Sequence, residues 1–230
     1  MLYKSVIYPT NGQNRILTIY IGKLVTLYIG KSYPIIRGGN MITNRDMRVL
    51  ELLTQLRYMT TKQLKDTIFK DVSYSVCYRR LSYLSGNKLI NKKYYNIDKN
   101  TNSHVYYLDY LPSKKNLKHE LLVSQFVVEL TKQGHDILEI EKTPIYKGIK
   151  PDLIVKFRKS DGTIKHLFLE VQLSNHDTIG KYLNINSTGR GDIPNLLYVV
   201  TDKPQKPIQI RNLRIVIDTL DFKKLSFYFS

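Results

Sequence analysis

Four polar side chains in the second half of the chain have types and an order that suit metal-dependent chemistry. Glu120 lies in a run with helical periodicity, and Asp152 opens a strand-like run. Glu170 and Gln172 lie inside the run LFLEVQL, and alternate residues of a strand point to the same side. A carboxylate among these apolar residues needs a partner, because burying an unpaired charge is costly. A Mg²⁺ or Mn²⁺ ion held by Asp152 and Glu170 would supply that partner and could activate water for phosphodiester cleavage.

The same residues also fit a structural role. Pro-Asp is a common dipeptide at the start of a strand, and Glu170 with Gln172 could line a polar sheet face without any ion. Each of these short motifs is weak when taken alone. The metal-site interpretation therefore depends on the elements that would bring the motifs together.

Those elements have an α/β pattern. Residues 119–132 are predicted to form a helix, because apolar residues recur there at helical spacing. Runs rich in β-branched and aromatic residues predict five strands, at 137–142, 152–157, 167–173, 196–200 and 214–217. A helix over 177–184 would connect two of these strands. We therefore expect an α/β domain built around a mixed sheet.

The first half has a different order of elements, with three short helices followed by a hairpin. Thr43 or Asn44 can cap the first helix, whose apolar face is predicted to contain Met47, Leu50, Leu53 and Leu56. Thr60 can cap the second helix and Ser73 the third. Two β-like runs around the polar segment 99–102 then predict a hairpin. This is the order of a winged helix-turn-helix.

The third helix carries the residues expected to bind DNA. Cys77, Leu81 and Leu84 fall at i, i+4 and i+7 and should face the core, so the opposite stripe is free to enter a major groove. On that stripe Arg79 can form paired hydrogen bonds with a guanine edge. The predicted DNA contacts are Ser75, Tyr78, Arg79 and Ser82 on the helix and Lys88, Lys92, Lys93 and Lys99 around the hairpin. A helical unit that binds protein, with these residues as a solvated face, is the alternative.

The distribution of charge favours DNA. Lys and Arg number 36 and Asp and Glu number 19, which gives a net charge of +17. Residues 1–118 hold 20 basic and 6 acidic residues, a net of +14, whereas residues 119–230 hold 16 and 13, a net of +3. An AT-rich genome would explain the many lysines but not this asymmetry. A phosphate backbone is therefore expected to dock on the first half.

Cysteine content and hydropathy bear on location. Cys77 is the single cysteine, so an internal disulfide is excluded and a reducing compartment fits. No apolar run in the sequence approaches the length that spans a bilayer. We therefore expect a cytoplasmic protein without a membrane partner.

The chain is predicted to divide into two domains behind a β-rich extension. Residues 1–40 contain the related segments TIYIGK and TLYIGK, which fit a β-appendage. An arm that contacts DNA through Lys23, Lys31 and Arg37 is the alternative for this segment. The winged helix would cover residues 41–112, a polar linker 113–118, and the α/β domain 119–230.

At these motifs the second domain resembles the PD-(D/E)xK nuclease superfamily, in which a helical Glu, a Pro-Asp and an acid-x-Lys build a metal site. The resemblance implies catalytic positions at Glu120, Asp152, Glu170 and Gln172. Gln172 stands where the superfamily usually has lysine, and neutral glutamine polarises water less well. Lys156 or Lys181 could supply the missing charge from elsewhere in the chain.

The order of motifs over about residues 43–185 also resembles the replication-relaxation family of plasmids, phages and other mobile elements. In this order the winged helix, the His119-Glu120 helix, the Pro-Asp strand and the FLEV strand precede Lys181-Tyr182. The resemblance implies a protein that binds double-stranded DNA in replication, relaxation or maintenance of a plasmid or phage. Two alternatives stay open: a metal-dependent DNA endonuclease, and a winged-helix transcriptional regulator whose second domain mediates assembly, for example as a homodimer.

Overall fold

The computed structural model describes residues 42–98, 101–111, 113–174, 179–183, 194–204, 209–211 and 213–229. Within these residues the chain is an α+β protein with five α-helices and two β-sheets. The predicted β-rich extension over residues 1–40, including Lys23, Lys31 and Arg37, lies outside the described residues, as does Lys99.

The helices of the first half begin at capping residues that the sequence predicts. Helix α1 (Asn44–Leu56) starts at Thr43, whose side chain accepts from the Asp46 amide while Asp46 accepts from the Thr43 amide. After strand β1 (Met59–Thr60), helix α2 (Thr61–Thr67) starts with the same reciprocal arrangement between Thr60 and Gln63. Helix α3 (Tyr74–Gly86) starts at Ser73, which accepts from the Val76 amide.

The buried face of α1 is rotated relative to the prediction. The sequence pattern favoured Met47 and Leu50 beside Leu53 and Leu56, whereas Val49 is fully buried and Met47 and Leu50 are half-buried. On α3 the prediction is confirmed, since Cys77, Leu81 and Leu84 are all buried. The predicted hairpin is also confirmed: strand β2 (Asn91–Asp98) pairs antiparallel with β3 (Thr101–Tyr107), and β1 joins the other edge of β3.

Helix α4 (Lys114–Lys132) joins the two halves of the structure. Residues 114–118, which we expected to form a linker, are instead the beginning of this helix, because Leu117 packs into a cluster with Tyr95 and Val105 of the hairpin. Farther along α4, the Leu121 carbonyl accepts a hydrogen bond from Gln63 Nε2 (2.8 Å). One buried apolar cluster extends from α1 through α4 to the second sheet, so the two halves pack on a common helix.

The second sheet follows α4 and is mixed, as predicted. Its order is β4-β5-β6-β7-β8; the first three strands are antiparallel, whereas β7 runs parallel to both β6 and β8. All five strands fall where the sequence predicts them, at β4 (Asp136–Lys142), β5 (Leu153–Arg158), β6 (Ile164–Gln172), β7 (Leu196–Thr201) and β8 (Arg214–Asp218). Of the helix expected over 177–184, the described part contains a 3-10 turn, Gly180–Tyr182. The last described element is helix α5 (Leu225–Phe229).

Alternation along the strands separates two apolar layers. One face of the sheet, with Leu153 and Leu169, joins the cluster that includes α4, and the other, with Phe168, packs on Tyr182. Glu170 and Gln172 share the face of Phe168, because they follow it at alternate positions of β6. Among the described helices, none has the length and apolar character needed to cross a membrane.

Candidate functional site

Among the described residues, the predicted site residues fall into two groups, one on α3 and the hairpin and one at the carboxyl end of β6. On α3 the core residues leave an outward stripe in which Ser75, Tyr78 and Arg79 are exposed and Ser82 is half-buried. The structure therefore brings these four predicted DNA contacts onto one helix face.

Arg80, next to Arg79, points into the structure. Its Nε donates to Asp46 Oδ1 (2.8 Å), and its Nη2 donates to Asp46 Oδ2. Asp46 is 0% exposed, and although burial opposes its charge, the hydrogen bonds from Arg80 and Thr43 outweigh that penalty and lower the pKa of Asp46. Arg80 is thus committed to an internal ion pair, and Arg79 is left facing solvent.

The hairpin divides its lysines between two faces. Lys92 Nζ lies 3.4 Å from Ser82 Oγ and 5.8 Å from the centre of the Tyr78 ring, so Lys92 accompanies the α3 stripe. Lys93 points the other way, with its Nζ 5.5 Å from the ring of Tyr95, which packs toward α4. Lys92 and Lys93 were predicted to contact DNA together, but strand alternation places them on opposite faces of the hairpin.

Lys88 also lies apart from the start of the stripe. It follows the last turn of α3, in the left-handed backbone region with φ +58°. Ser75 and Gly86 are separated by about 16 Å along a helix of this length. Lys88 therefore lies at the opposite end of α3 from Ser75.

Two rings that were not among the predicted contacts, Tyr94 and His104, lie beside Tyr78 of the stripe. His104 of β3 forms edge contacts with Tyr78 (5.6 Å between ring centres) and with Tyr94 (5.1 Å), its partner across the hairpin. We call Tyr78, Tyr94 and His104 the aromatic cluster. The signal that could have found Tyr94 is its alternation with Lys92, since residues two apart on a strand share a face.

The second group is the carboxylate site, which we define as Glu120, Asp152, Glu170 and Gln172. Asp152 Oδ2 accepts a hydrogen bond from the Val171 backbone amide (2.8 Å) and lies 3.0 Å from His119 Nε2. Burial disfavours a charged imidazole, but the hydrogen bond to Asp152 and its charge outweigh burial and raise the pKa of His119.

Glu170 is 2% exposed and is held by two side chains of the 3-10 turn. Lys181 Nζ lies 2.7 Å from Glu170 Oε1, and the Tyr182 hydroxyl donates to the same oxygen. Burial, followed by the negative charge of Asp152, raises the pKa of Glu170 to about 7, although Lys181 and Tyr182 act in the opposite direction. Leu153 pairs with Leu169 in antiparallel strands, so Asp152, one residue before β5, lies beside Glu170, one residue beyond Leu169.

Glu120 contacts a buried lysine that the sequence analysis missed. Lys142 Nζ lies 2.5 Å from Glu120 Oε2 and also donates to the Leu56 carbonyl (2.6 Å), and its side chain is 3% exposed. Burial lowers the pKa of Lys142, and the neighbouring Glu120 carboxylate partly offsets this effect. Each carboxylate is therefore next to a basic side chain of the protein itself: Glu120 with Lys142, Asp152 with His119, and Glu170 with Lys181.

Gln172 shares the face of Glu170, and its Nε2 donates to the Ser174 carbonyl (3.2 Å). Of the two lysines considered as substitutes, Lys181 contacts Glu170, whereas Lys156 lies across from His166 in the pairing of β5 with β6. Among the described residues, no group of three or more His, Cys, Asp or Glu side chains is arranged to hold a metal ion. The two-carboxylate ion site at Asp152 and Glu170 stays a prediction.

No family model matches the chain, and no curated protein or solved structure is significantly similar to it.

Proposed function

We propose that the protein binds double-stranded DNA through the outward stripe of α3 and the adjoining hairpin, in the manner of a winged helix. The observation that carries this proposal is that α3 has one packed side and one exposed polar side. Cys77, Leu81 and Leu84 are used for the core, and Arg80 is used for Asp46, while Arg79 is left exposed. A helix with one packed side and one polar, cationic side has what major-groove binding requires.

Charge supports DNA over a protein partner. From residue 73 to residue 107 the chain has six Lys and Arg residues, and its one acid is Asp98. Lys92 extends the cationic surface from α3 onto the hairpin, where a second groove or a phosphate would lie. A solvated helix face with no ligand would not need this local excess of one sign.

For the second half we propose a nuclease-like domain of the PD-(D/E)xK type that binds or positions DNA and cleaves weakly or not at all. The order helical Glu120, Asp152 before β5, and Glu170 on β6 supports the nuclease-like part. The pairing of each carboxylate with a basic side chain, together with Gln172, supports the lack of strong cleavage, because a metal ion would have to displace Lys181 and His119. Taken with the resemblance in motif order, these features favour a role in replication, relaxation or maintenance of a plasmid or phage.

A metal-dependent endonuclease is the second candidate, and one observation favours it. Asp152 and Glu170 lie side by side at the end of the β5–β6 pairing, and the negative charge of Asp152 contributes to the raised pKa of Glu170. A Mg²⁺ or Mn²⁺ ion would relieve the repulsion between these charges and fits a set of two carboxylates completed by water. Lys181 would then take the position of the superfamily lysine.

The DNA-binding proposal is tested by measuring the affinity of the full chain for duplexes of different sequence at several salt concentrations. Arg79→Ala should cost on the order of 1–3 kcal/mol on the preferred sequence and reduce the discrimination between sequences. Arg211→Ala, at an exposed arginine in the segment before β8, is the matched control and should bind as the wild type does. Equal effects of the two substitutions would reject α3 as the element that reads DNA.

A further inference from the structure

Two of the three rings of the aromatic cluster are exposed. Tyr94 is 60% exposed and Tyr78 is 37% exposed, and Tyr74, one turn before Tyr78 on the same side of α3, adds a ring that is 54% exposed. Large aromatic side chains gain much from burial, so neighbouring exposed rings mark a surface that binds something.

The fold leaves Tyr94 in this position for a local reason. Tyr95 takes the inward place on β2 and packs with Val105 and Leu117, and alternation therefore turns Tyr94 to the opposite face. There Tyr94 contacts His104 at an interplanar angle of 64°, so the rings meet by an edge and do not stack face to face. With most of its surface in solvent, the Tyr94 ring keeps area on which another flat ring could stack.

The surroundings of the cluster are cationic. Lys92 lies over the Tyr78 ring, and Arg79 is exposed on the next position of α3. Exposed aromatic rings among basic side chains are the combination that binds single-stranded nucleic acid, because bases stack on the rings while the cations follow the phosphates. A paired base inside a duplex is already stacked on both sides, so a ring platform gains little from it.

We propose that the aromatic cluster stacks unpaired bases, so that the preferred ligand of this protein is duplex DNA continuing into a single strand. The proposal rests on the proposed function, since α3 would hold the duplex part. Tyr94 is the stacking residue, His104 supports it from the neighbouring strand, and Lys92 neutralises the phosphate beside the stacked base.

The test compares a blunt duplex, the same duplex with a short single-stranded overhang, and the single strand alone, each bound to the full chain by fluorescence anisotropy. The wild type should prefer the overhang duplex. Tyr94→Ala should weaken binding to the overhang duplex by between about fivefold and about a hundredfold and leave the blunt duplex unchanged. Tyr94→Phe, which keeps the ring, and Tyr110→Ala, at a tyrosine that is 82% exposed outside the cluster, should both retain the preference.

A 2-aminopurine at the first unpaired position gives a direct readout, because its fluorescence falls when it stacks on an aromatic ring. Quenching by the wild type and Tyr94→Phe, but not by Tyr94→Ala, would support the proposal. If the blunt duplex binds through Arg79 and the overhang adds nothing, the stacking proposal is wrong and the proposed function stands. If only the single strand binds, and does so through Tyr94, the duplex function and the preference for the overhang duplex are both wrong, and only stacking of unpaired bases on Tyr94 stands. Absence of binding to all three probes would overturn both.

Discussion

Arg80 and Asp46 form an ion pair that fixes the position of α3 on α1. The guanidinium donates from two nitrogens to the two carboxylate oxygens, and the same carboxylate caps α1 through Thr43. Arg80 also lies over the ring of Tyr83, 4.8 Å from its centre. The pair therefore holds the helix that carries the exposed Arg79 at a fixed orientation, and it separates the roles of two adjacent arginines.

Removal of Arg80 should therefore destabilise the fold. In Arg80→Ala the buried Asp46 carboxylate keeps only its bonds to Thr43, and leaving a buried acceptor without its partner costs about 1–3 kcal/mol. We place the effect in that range because the Arg80 side chain is 22% exposed, and water can replace part of its interaction. Urea unfolding of the full chain measures this change.

Arg79→Ala is the matched variant and should unfold within about 0.5 kcal/mol of the wild type, since surface substitutions without special contacts have small effects. Arg80→Ala should therefore lower the free energy of unfolding, whereas Arg79→Ala should instead reduce the discrimination between DNA sequences. If Arg79→Ala proved as destabilising as Arg80→Ala, the assignment of Arg80 to the interior and Arg79 to the ligand would have to be abandoned.

The separation of Lys92 from Lys93 gives a prediction about salt dependence. Lys92 lies beside the α3 stripe, so Lys92→Ala should remove one phosphate contact and reduce the slope of log affinity against log salt by about 0.9. Lys93→Ala changes the same charge on the opposite face of the hairpin and should alter the slope less. A binding isotherm series from low to moderate salt measures both, and a larger change for Lys93 would mean that DNA lies against the α4 side of the hairpin.

Local patterns in the sequence predicted much of this structure. Capping by Thr43, Thr60 and Ser73, and burial of Cys77 on α3, depend on residues within one or two helical turns. The five strands of the second sheet were likewise readable from their β-branched and aromatic runs.

Contacts between distant residues were not predictable in this way. Glu120 lies in α4 and Lys142 at the end of β4, and Asp46 lies in α1 and Arg80 in α3. No periodicity or spacing in the sequence connects the members of either pair. The predicted linker 113–118 failed for a related reason, since its polar composition conceals Leu117, whose burial depends on the hairpin. Tyr94 was readable in principle, through its alternation with Lys92, but the meaning of an exposed tyrosine depends on the rings beside it.

A buried histidine, His135, predicts how the stability of the fold depends on pH. His135 is 6% exposed, contacts Phe157 and Phe229, and among the described residues neither of its ring nitrogens has a hydrogen-bond partner. Burial, together with the nearby charge of Lys159, lowers the pKa of His135 below its ordinary value of 6.5. The folded state therefore favours the neutral form of His135. The stability that depends on this neutral form is fully present above pH 6.5 and is lost as the pH falls through the lowered pKa.

His135→Phe removes this titration and keeps a flat apolar ring between the two phenylalanines. The free energy of unfolding of the variant should exceed that of the wild type by a margin that grows as the pH is lowered from 7 to 5, because the unfolded wild type takes up a proton more readily. Denaturant unfolding at a series of pH values measures the difference, and other titrating groups cancel in it. A difference that stayed constant with pH would show that His135 is protonated to the same extent in both states.

The carboxylate site supplies the last prediction, which decides between a binding domain and a nuclease. Since Lys181 and Tyr182 hold Glu170 and His119 holds Asp152, we expect weak or absent cleavage of supercoiled plasmid with Mg²⁺ or Mn²⁺. Loss of one well-placed charge in a transition state can cost several kcal/mol, so Gln172→Lys should raise any trace activity and Asp152→Ala should abolish it.

Lys181→Ala should strengthen Mn²⁺ binding measured by calorimetry, because Glu170 would then face Asp152 without its ammonium partner. Brisk cleavage by the wild type that Asp152→Ala and Lys181→Ala both eliminate would establish an enzyme in which Lys181 replaces the lysine missing at position 172. If Asp152→Ala and Glu170→Ala change neither Mn²⁺ binding nor DNA processing, the carboxylates serve the fold alone.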